Sequence, residues 1–356
     1  MWRHVLSRTS PWEPNPMWTT LAQPHALRQL QAELAAGHLS HAYLLVGPPH
    51  VGKMSLALDI ARAVNCAAPV PERPCGGCRQ CKRITAGHHA DVLVITLQHV
   101  AVQRREISID EVRTVERQAA LKPFEGASRV FIFDSADHMS EEAANALLKT
   151  LEEPPPQSLL ILLAIQPDLL LPTILSRCRR IDLRPMPQDA LARYLMESHQ
   201  VPDSQAQLLA RLSKGCVGWA LKALKEPTVL EHRQTEMERA VSLMDGSLEQ
   251  RFSAASDVST IYYRDRAAAM NSIHTWLQWW RDLLLVKESA EAVVYNLDYL
   301  ETLKEKAARY SAAEISAFLA AILDALKAIE ANVQPRLALE ALMLRMPASH
   351  TPKTPA

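Results

Sequence analysis

The chain has 356 residues, a formal net charge of zero, 48% apolar residues and 22% charged residues. Its length suits about two or three domains, and its composition is that of an ordinary globular protein. Zero net charge excludes a global basic field that would hold nucleic acid, so DNA contact would need a local patch or partner subunits. Without a run of about 18 apolar residues or the apolar core of a signal peptide at the N-terminus, we expect a cytoplasmic protein and no membrane contact.

Short apolar runs alternate with helical patterns in the first half of the chain. The runs are "AYLLV" (42–46), "DVLVITL" (91–97), "RVFIFD" (129–134) and "LLILLAI" (159–165). They lack polar alternation, which is typical of parallel strands buried on both faces. The sequence predicts helices between them over 51–64, 110–121 and 141–152, the last with Ser140 as its N-cap. We therefore expect a parallel sheet with crossover helices.

After residue 185 the patterns are helical. The stretches "MPQDALARYLMESHQ", "DSQAQLLARLSKG" and "VGWALKALKE" predict a compact three-helix unit. The C-terminal helices carry wide apolar stripes, in which Trp276, Trp279 and Trp280 fall on one helix face. This spacing favours packing in a core or an oligomer over stacking on bases.

The stretch "GPPHVGKM" (47–54) follows the first apolar run and precedes a helical pattern. A glycine-rich loop in this context exposes backbone N–H groups to phosphates, with Lys53 reaching the outer phosphates and a Ser or Thr hydroxyl binding Mg²⁺. Gly47, Gly52 and Lys53 fit this pattern, but Met54 stands where the hydroxyl is needed. Ser55 is one residue late and points about 100° away on a helix. Mg²⁺-dependent chemistry is therefore expected to be impaired.

A second phosphate-site element is expected at the end of a later strand, where one acid binds the metal and another polarises the attacking water. "VFIFDSAD" supplies Asp134 for the first role. The next residue is Ser135, which cannot act as a base for water. Asp137 lies two residues further, and we expect it to face elsewhere. At Met54 and at Ser135, a residue that the catalytic pattern requires is thus replaced by one that cannot perform its role.

Four of the six cysteines lie close together, at Cys66, Cys75, Cys78 and Cys81. Four thiolates at this spacing suit a tetrahedral Zn²⁺, and an all-cysteine site leaves no open position for catalysis, so the metal would be structural. Reduced thiols without metal, or a site that takes His88 or His89 as a ligand, are the alternatives left open.

"TILSRCRRIDL" places Arg177 just before a predicted strand. An arginine at the edge of an ATP-binding fold can reach the γ-phosphate held by a neighbouring subunit. A solvated surface arginine is the simpler interpretation when the motif is considered alone.

"NALLKTLEEPP" and "LPTILSRC", with the cysteine module and "ANVQPRLALEAL", resemble the delta-prime family of bacterial DNA polymerase III clamp-loader subunits over nearly the whole chain. The resemblance implies an AAA+ fold of α/β and all-α parts. It comprises a P-loop-type parallel-sheet domain (1–186) with a zinc module (66–81), a small helical lid (187–238), a helical collar for oligomerisation (239–346) and a disordered tail (347–356).

The resemblance also implies a function. These subunits join gamma/tau and delta subunits in a hetero-pentameric ring that places the sliding clamp on primed DNA, as part of the DNA polymerase III holoenzyme, a DNA-directed DNA polymerase. Arg177 would be an arginine finger acting in trans on ATP of an adjacent gamma/tau-type subunit. Lys53 maps to the phosphate-loop lysine and Asp134 to the metal-binding acid, and the four cysteines map to the zinc ligands.

The sibling gamma/tau-type subunit is the alternative, because it shares the cysteine module, "LLKTLEEPP" and "SRC". A motor of that type should have Thr or Ser after the loop lysine, Glu after the strand-end Asp, and an arginine on the lid helix. Here these positions are Met54, Ser135 and Gly218. The three departures favour a non-hydrolysing delta-prime role in which this chain is not itself catalytic and binds ATP or ADP weakly or not at all.

Overall fold

The computed structural model describes residues 18–70, 72–100 and 104–348. Of the predicted disordered tail (347–356), only the first two residues fall within these ranges, and the rest of that prediction lies outside them. Packing divides the chain into one unit over Met1–Ala220 and a second over Leu221–Ala356. This division falls within the predicted lid, whose bounds of 187–238 stay a prediction.

The first unit contains a sheet and its crossover helices. The strands are β1 (Ala42–Val46), β2 (Val92–Ile95), β3 (Gln98–Val100), β4 (Arg104–Glu106), β5 (Arg129–Phe133), β6 (Ser158–Ala164) and β7 (Arg179–Asp182). The helices are α1 (Pro24–Ala36), α2 (Lys53–Asn65), α3 (Arg79–Thr85), α4 (Ile109–Ala119), α5 (Glu141–Glu152), α6 (Pro172–Leu175), α7 (Gln188–His199) and α8 (Asp203–Leu212), followed by α9 (Val217–Lys225), which spans the division. Short 3-10 turns cover Ala136–His138 and Pro167–Leu169.

Five of these strands form one parallel sheet in the order β2-β5-β6-β1-β7. In β1 the side chains alternate between the two faces: Leu44 packs in one apolar cluster, and Tyr43 and Leu45 pack in the other. This confirms the parallel sheet, with helices covering both faces. Burial on both faces was wrong for β2, because it is an edge strand and Val94 is exposed.

The predicted helices are found within two residues of their expected bounds. Glu141–Glu152 matches the prediction, and the Ser140 side chain accepts a hydrogen bond from the Ala143 N–H at 3.1 Å, which confirms the N-cap. Helix α3 and the antiparallel pair β3-β4 were not predicted. Both are short, so neither develops the apolar periodicity on which the sequence predictions depend.

The second unit is helical throughout its described part. Its helices are α10 (Pro227–Asp245), α11 (Leu248–Arg264), α12 (Arg266–Lys287), α13 (Leu300–Ala307), α14 (Ala312–Glu330) and α15 (Pro335–Leu344), with 3-10 turns at Glu291–Val293 and Leu297–Tyr299. Trp276, Trp279 and Trp280 are buried in its core, where Trp280 packs against Phe318 with ring centroids 4.6 Å apart. Core packing of the tryptophans is therefore confirmed. Among the described helices, none has the length and apolar character needed to cross a membrane.

Candidate functional site

The loop between β1 and α2 has the backbone shape of a phosphate-binding turn. Gly47 directly follows β1, and its N–H donates to the Ala164 carbonyl of β6 at 3.2 Å. A Cβ on Gly47 would lie 2.7 Å from the Leu183 carbonyl oxygen, which leaves no room for a side chain. Gly52 starts α2 with a φ of 107°, a conformation that favours glycine. The two glycines are thus needed for the course of the loop.

The Lys53 ammonium is turned into its own loop. Its Nζ donates hydrogen bonds to the Gly47 carbonyl at 2.6 Å and to the Pro48 carbonyl at 2.9 Å. Burial lowers the pKa of Lys53, although the negative charges of Asp137 and Asp134 act in the opposite direction. Two main-chain carbonyls therefore hold the cation that, in a working phosphate loop, reaches the outer phosphates.

Met54 contributes packing at the start of α2. Its half-buried side chain contacts the apolar cluster that contains Leu45 and Leu56. A thioether is a poor ligand for Mg²⁺, which prefers oxygen. The next hydroxyl belongs to Ser55, whose residue is exposed. The described loop therefore lacks the metal-binding hydroxyl at the position where the pattern requires it.

The first turn of helix α9 contacts the same loop. The Gly218 N–H donates to the His50 carbonyl at 3.0 Å, and a Cβ on Gly218 would lie 2.8 Å from that oxygen. The helix therefore approaches the loop backbone to backbone. Only glycine fits this close approach without a shift, so an arginine at position 218 would have to move the helix or the loop.

The second phosphate-site element lies at the end of β5. The Asp134 N–H donates to the Ile95 carbonyl at 2.8 Å, which extends the pairing of β5 with β2. Ser135 then turns the chain with a φ of 62° into the 3-10 turn Ala136–His138. The negative charge of Asp134 acts to raise the pKa of Lys53, so the predicted loop lysine and strand-end acid lie within electrostatic range of each other.

Asp137 is buried beside this site. Its Oδ2 accepts hydrogen bonds from the N–H groups of Ile165 at 2.9 Å and Gln166 at 2.8 Å, and its Oδ1 lies 3.5 Å from His138 Nδ1. Burial acts to raise the pKa of Asp137, but His138 and the two N–H groups outweigh it, so the pKa is lowered. The carboxylate thus fixes the chain after β6. Its negative charge also acts on Lys53, so the expectation that Asp137 faces elsewhere is not confirmed.

The four predicted cysteines form one cluster. The Sγ atoms of Cys66, Cys75, Cys78 and Cys81 all lie within 4.8 Å of one another, and all four are free thiols. Cys66 ends α2, Cys78 caps the start of α3, and Cys81 lies inside α3. Two helix ends therefore carry most of the cluster, which explains why it forms even though the chain between its members is irregular.

Backbone N–H groups point at these sulfurs. Cys66 Sγ accepts from Cys75 N at 3.3 Å, Cys75 Sγ from Cys78 N at 3.3 Å and Cys78 Sγ from Cys81 N at 3.5 Å. Burial acts to raise the pKa of Cys78, but the N–H groups of Ala67 and Cys81 outweigh it and lower this pKa to about 6. These N–H groups favour the thiolate of Cys78, the form that binds metal, whereas burial raises the pKa values of Cys66 and Cys81. Four sulfurs this close together nevertheless fit a soft ion with tetrahedral preference.

The histidine alternative does not agree with the structure. His89 Nε2 lies 2.9 Å from Gln80 Oε1, and its Nδ1 accepts from the Asp91 N–H at 3.1 Å. Both ring nitrogens are therefore engaged outside the cluster. Among the described residues, the group that could hold a metal here consists of the four cysteines alone.

A buried carboxylate behind the cysteine module organises the loop before β5. Asp91 Oδ1 accepts from the Phe124 N–H at 2.7 Å, and Oδ2 accepts from the N–H groups of Glu125 and Gly126 at 2.8 Å each. Burial acts to raise the pKa of Asp91, but the three N–H groups outweigh it and the pKa is lowered. The loop is thus fixed, yet the Phe124 residue is 82% exposed.

Helix α3 of the cysteine module contacts that loop directly. Gln80 Nε2 donates to the Glu125 carbonyl at 2.6 Å, and Arg83 Nη2 lies 3.2 Å from Glu125 Oε1. Sequence reasoning missed this network. Its local signal was Asp91 directly before a strand, but the partners lie more than thirty residues further along the chain.

Arg177 lies between α6 and the edge strand β7. Its Nη1 donates to the Thr173 carbonyl at 3.0 Å and to Ser176 Oγ at 3.3 Å, and its Nη2 forms an ion pair with Glu152 Oε1 at 2.7 Å. The neighbouring Cys178 is buried in the core, and burial raises its pKa to about 12. A buried cysteine therefore anchors the turn while the arginine stays at the surface. The described partners of Arg177 are Glu152 of α5, Thr173 of α6 and Ser176 directly after α6, and none lies in the loop over 47–53.

Comparisons with known proteins identify relatives of this chain. A family model described as "DNA polymerase III, delta subunit" matches residues 22–187. DNA polymerase III subunit delta′ of Bacillus subtilis is 26% identical over 324 residues, which are 91% of this chain and 96% of that protein. The chain belongs to the family of DNA polymerase III clamp-loader subunits.

Subunits of the tau type are also similar. DNA polymerase III subunit tau of Bacillus subtilis is 30% identical over 80% of this chain and 53% of its own length, and that of Escherichia coli is 33% identical over 69% and 38%. The chain thus spans about half of these tau relatives or less. A gamma subunit-related protein of Thermotoga maritima matches with a TM-score of 0.44 and 20% identity over 89% of this chain and 98% of its own.

Proposed function

We propose that this chain is a delta-prime-type subunit of a DNA polymerase III clamp loader. In this role it is a non-hydrolysing stator in the cytoplasm. It joins gamma/tau and delta subunits in a hetero-pentameric ring, lends Arg177 in trans to ATP held by an adjacent gamma/tau-type subunit, and helps to load the sliding clamp onto primed DNA.

The position of Lys53 supports the first part of this proposal, that the chain does not hydrolyse ATP. Its ammonium is bound by the Gly47 and Pro48 carbonyls, so a phosphate would have to break both hydrogen bonds to recruit it. Even then, Met54 offers no hydroxyl to Mg²⁺ and Ser135 offers no carboxylate to the attacking water. Gly47, Gly52, Lys53 and Asp134 thus retain the form of a nucleotide site without the groups that hydrolysis needs.

The surface position of Arg177 supports the second half. Its side chain is 34% exposed, so the guanidinium can reach a group outside this chain. Arginine suits this task because its charge is permanent and its planar group can contact two phosphate oxygens. A finger supplied in trans stabilises the charge that develops on the transferred phosphoryl group.

The cysteine cluster supports a structural zinc. Cys66, Cys75, Cys78 and Cys81 would hold the ion, which would supply a crosslink between the end of α2 and the start of α3. Four sulfur ligands leave no open coordination position, so this metal would stabilise the fold and take no part in hydrolysis.

An ATP-hydrolysing gamma/tau-type motor is the second candidate. The similarity to tau subunits and the intact glycines and lysine of the loop favour it. It would require the chain to bind Mg²⁺-ATP without Met54 supplying an oxygen, and to activate water without a carboxylate at position 135. For that reason we prefer the stator.

ATP turnover and nucleotide binding by the purified chain, first alone and then with a gamma/tau-type subunit, distinguish the two candidates. The stator predicts no turnover by the chain alone and an Arg177-dependent rise in turnover by the partner. Robust hydrolysis by the lone chain that Lys53→Ala abolishes would establish the motor and overturn the proposal.

A further inference from the structure

The two most family-specific stretches of the sequence meet at one ion pair. Glu152 is the last residue of α5, in "NALLKTLEEPP", and Arg177 follows α6, in "LPTILSRC". Their side chains join at 2.7 Å, between Glu152 Oε1 and Arg177 Nη2. The first stretch thus carries a carboxylate that touches the guanidinium carried by the second.

The contacts of Arg177 show where an anion would bind. A guanidinium offers anions two two-point faces, Nε with Nη2 and Nη1 with Nη2, so Nη2 belongs to both. Nη1 is already used twice, by the Thr173 carbonyl and by Ser176 Oγ. Glu152 Oε1 lies 2.7 Å from Nη2, close enough to compete for one of its two N–H groups. The carboxylate therefore stands at the nitrogen that any two-point contact with a phosphate requires.

We infer that Glu152 is a positioning residue that sets the anion affinity of Arg177, by occupying Nη2 until a phosphate displaces it. This inference rests on the proposed function of Arg177 as a finger. Displacement is feasible because both partners are partly solvated, with 34% and 51% of their side chains exposed, and surface ion pairs are weak. A phosphate carries more charge than a carboxylate and competes effectively for the same nitrogen.

The contacts on Nη1 hold the guanidinium in place without Glu152. Glu152 therefore competes with a phosphate for Nη2 and is not needed to orient Arg177. Thr173 offers a main-chain carbonyl, which no side-chain change removes, and Ser176 is adjacent to Arg177. These two acceptors keep the guanidinium in place when the carboxylate is neutralised. Replacing Glu152 with Gln therefore removes negative charge near the incoming phosphate while the finger stays oriented.

Pyrophosphate titration of the full chain, followed by the NMR signal of the Arg177 Nε–H, tests the inference. Arg177→Lys identifies the signal by its loss. We expect Glu152→Gln to reach half-saturation at about three- to ten-fold lower pyrophosphate than wild type, since it loses a competing ion pair and a like-charge repulsion.

Glu153→Gln is the matched control, because Glu153 is adjacent and exposed and its side chain makes no hydrogen bond or ion pair with the described residues. It should titrate like wild type. Equal half-saturation for Glu152→Gln and wild type would overturn the inference, and so would an equal shift in Glu153→Gln, because a general charge effect would then suffice.

A second measurement uses the reconstituted clamp loader. Glu152→Gln should lower the half-saturating ATP concentration by about two- to five-fold with a maximal rate close to wild type, whereas a mainly structural role would lower the maximal rate. If Arg177→Ala leaves the loader's turnover unchanged, the proposed function fails, yet the pyrophosphate titration still decides whether Glu152 controls Arg177.

Discussion

Two basic side chains of this molecule, Lys53 and Arg177, differ in what holds them. Lys53 is half-buried and donates to two main-chain carbonyls of its own loop. Arg177 is at the surface, where its ion pair joins it to an exposed carboxylate. The first arrangement keeps a cation within the chain, and the second keeps a cation available to a partner.

Under the proposed function, this difference would let the chain assist a reaction that it does not itself catalyse. A phosphate that recruits Lys53 must break two hydrogen bonds to main-chain carbonyls, whose oxygens then need other partners. An exposed ion pair contributes about 0–1 kcal/mol, so it breaks readily when a stronger anion arrives. We propose that catalytic competence moved from the loop of this chain to a site shared with its neighbour.

The largest expected effect is that of removing the proposed finger. Arg177→Ala should lower ATP turnover at the site that it completes by about 10³-fold or more, since arginine fingers act on the transition-state charge. The measurement is clamp- and DNA-stimulated turnover of the reconstituted loader, in which the remaining sites set the residual rate.

Arg180→Ala is the control for this change. Arg180 lies on the edge strand β7 near Arg177, is exposed, and pairs with Asp182 at 2.8 Å. Its loss should leave turnover within about two-fold, because surface substitutions of this kind cost little. If both variants lost ATP turnover equally while the loader stayed assembled, Arg177 would have no role beyond that of another basic residue on the same surface.

The cysteine cluster should respond to the loss of one ligand. Cys78→Ser is expected to abolish retention of about one Zn²⁺ per chain, since a closed four-ligand site tolerates loss of a ligand poorly. Because Gln80 and Arg83 of α3 hold the loop that carries Phe124, amide exchange over 122–126 should rise at the same time.

Cys216→Ser serves as the comparison, because Cys216 is a buried thiol outside the cluster. It should keep its metal and its amide protection over 122–126. Protein prepared without chelator that contains no zinc would argue against the metal altogether. Loss of zinc without faster amide exchange over 122–126 would show that the metal does not stabilise this loop.

What the sequence could predict depended on the distance between interacting residues. The strand β1 and the helix α5 follow from local apolar patterns, and the cysteine cluster follows from ligands that are close along the chain. The Asp91 network and the Glu152–Arg177 pair join residues at least 25 positions apart, and local patterns carry no information on such pairs. The half-exposed face of β2 was missed because the order of strands, which makes it an edge, is also a long-range property.

Asp91 should contribute more to stability than any single surface charge. Its side chain is fully buried and accepts three backbone hydrogen bonds, so Asp91→Asn should lower the free energy of unfolding by about 2–4 kcal/mol. The amide nitrogen that replaces one oxygen would face N–H donors. Urea denaturation measures the change, and Asp168→Asn, at an exposed position, should stay within about 0.5 kcal/mol of wild type.

The pH dependence of this contribution has a defined sign. The pKa of Asp91 is lower in the folded than in the unfolded state, so its stabilisation is present above the unfolded pKa of about 3.9 and is lost as pH falls through the folded pKa. Wild type should therefore lose more stability than Asp91→Asn when urea denaturation is repeated from about pH 5 downward. Parallel losses in the two proteins would contradict the assignment.

The smallest expected effect concerns the contact between α9 and the nucleotide-type loop. Gly218→Ala places a Cβ 2.8 Å from the His50 carbonyl oxygen, which is too close without a shift. Alanine is otherwise the better helix residue, so its intrinsic gain of up to about 1 kcal/mol opposes a steric cost of about 1–3 kcal/mol. We expect net destabilisation of about 1 kcal/mol in urea denaturation, with faster amide exchange at positions 50 and 218.

Lys222→Ala, an exposed change on the same helix, should stay within a few tenths of a kcal/mol of wild type. If Gly218→Ala were more stable than wild type, α9 would move away from the loop at little cost in free energy. The hydrogen bond from the Gly218 N–H to the His50 carbonyl would then contribute little to holding the helix against the loop.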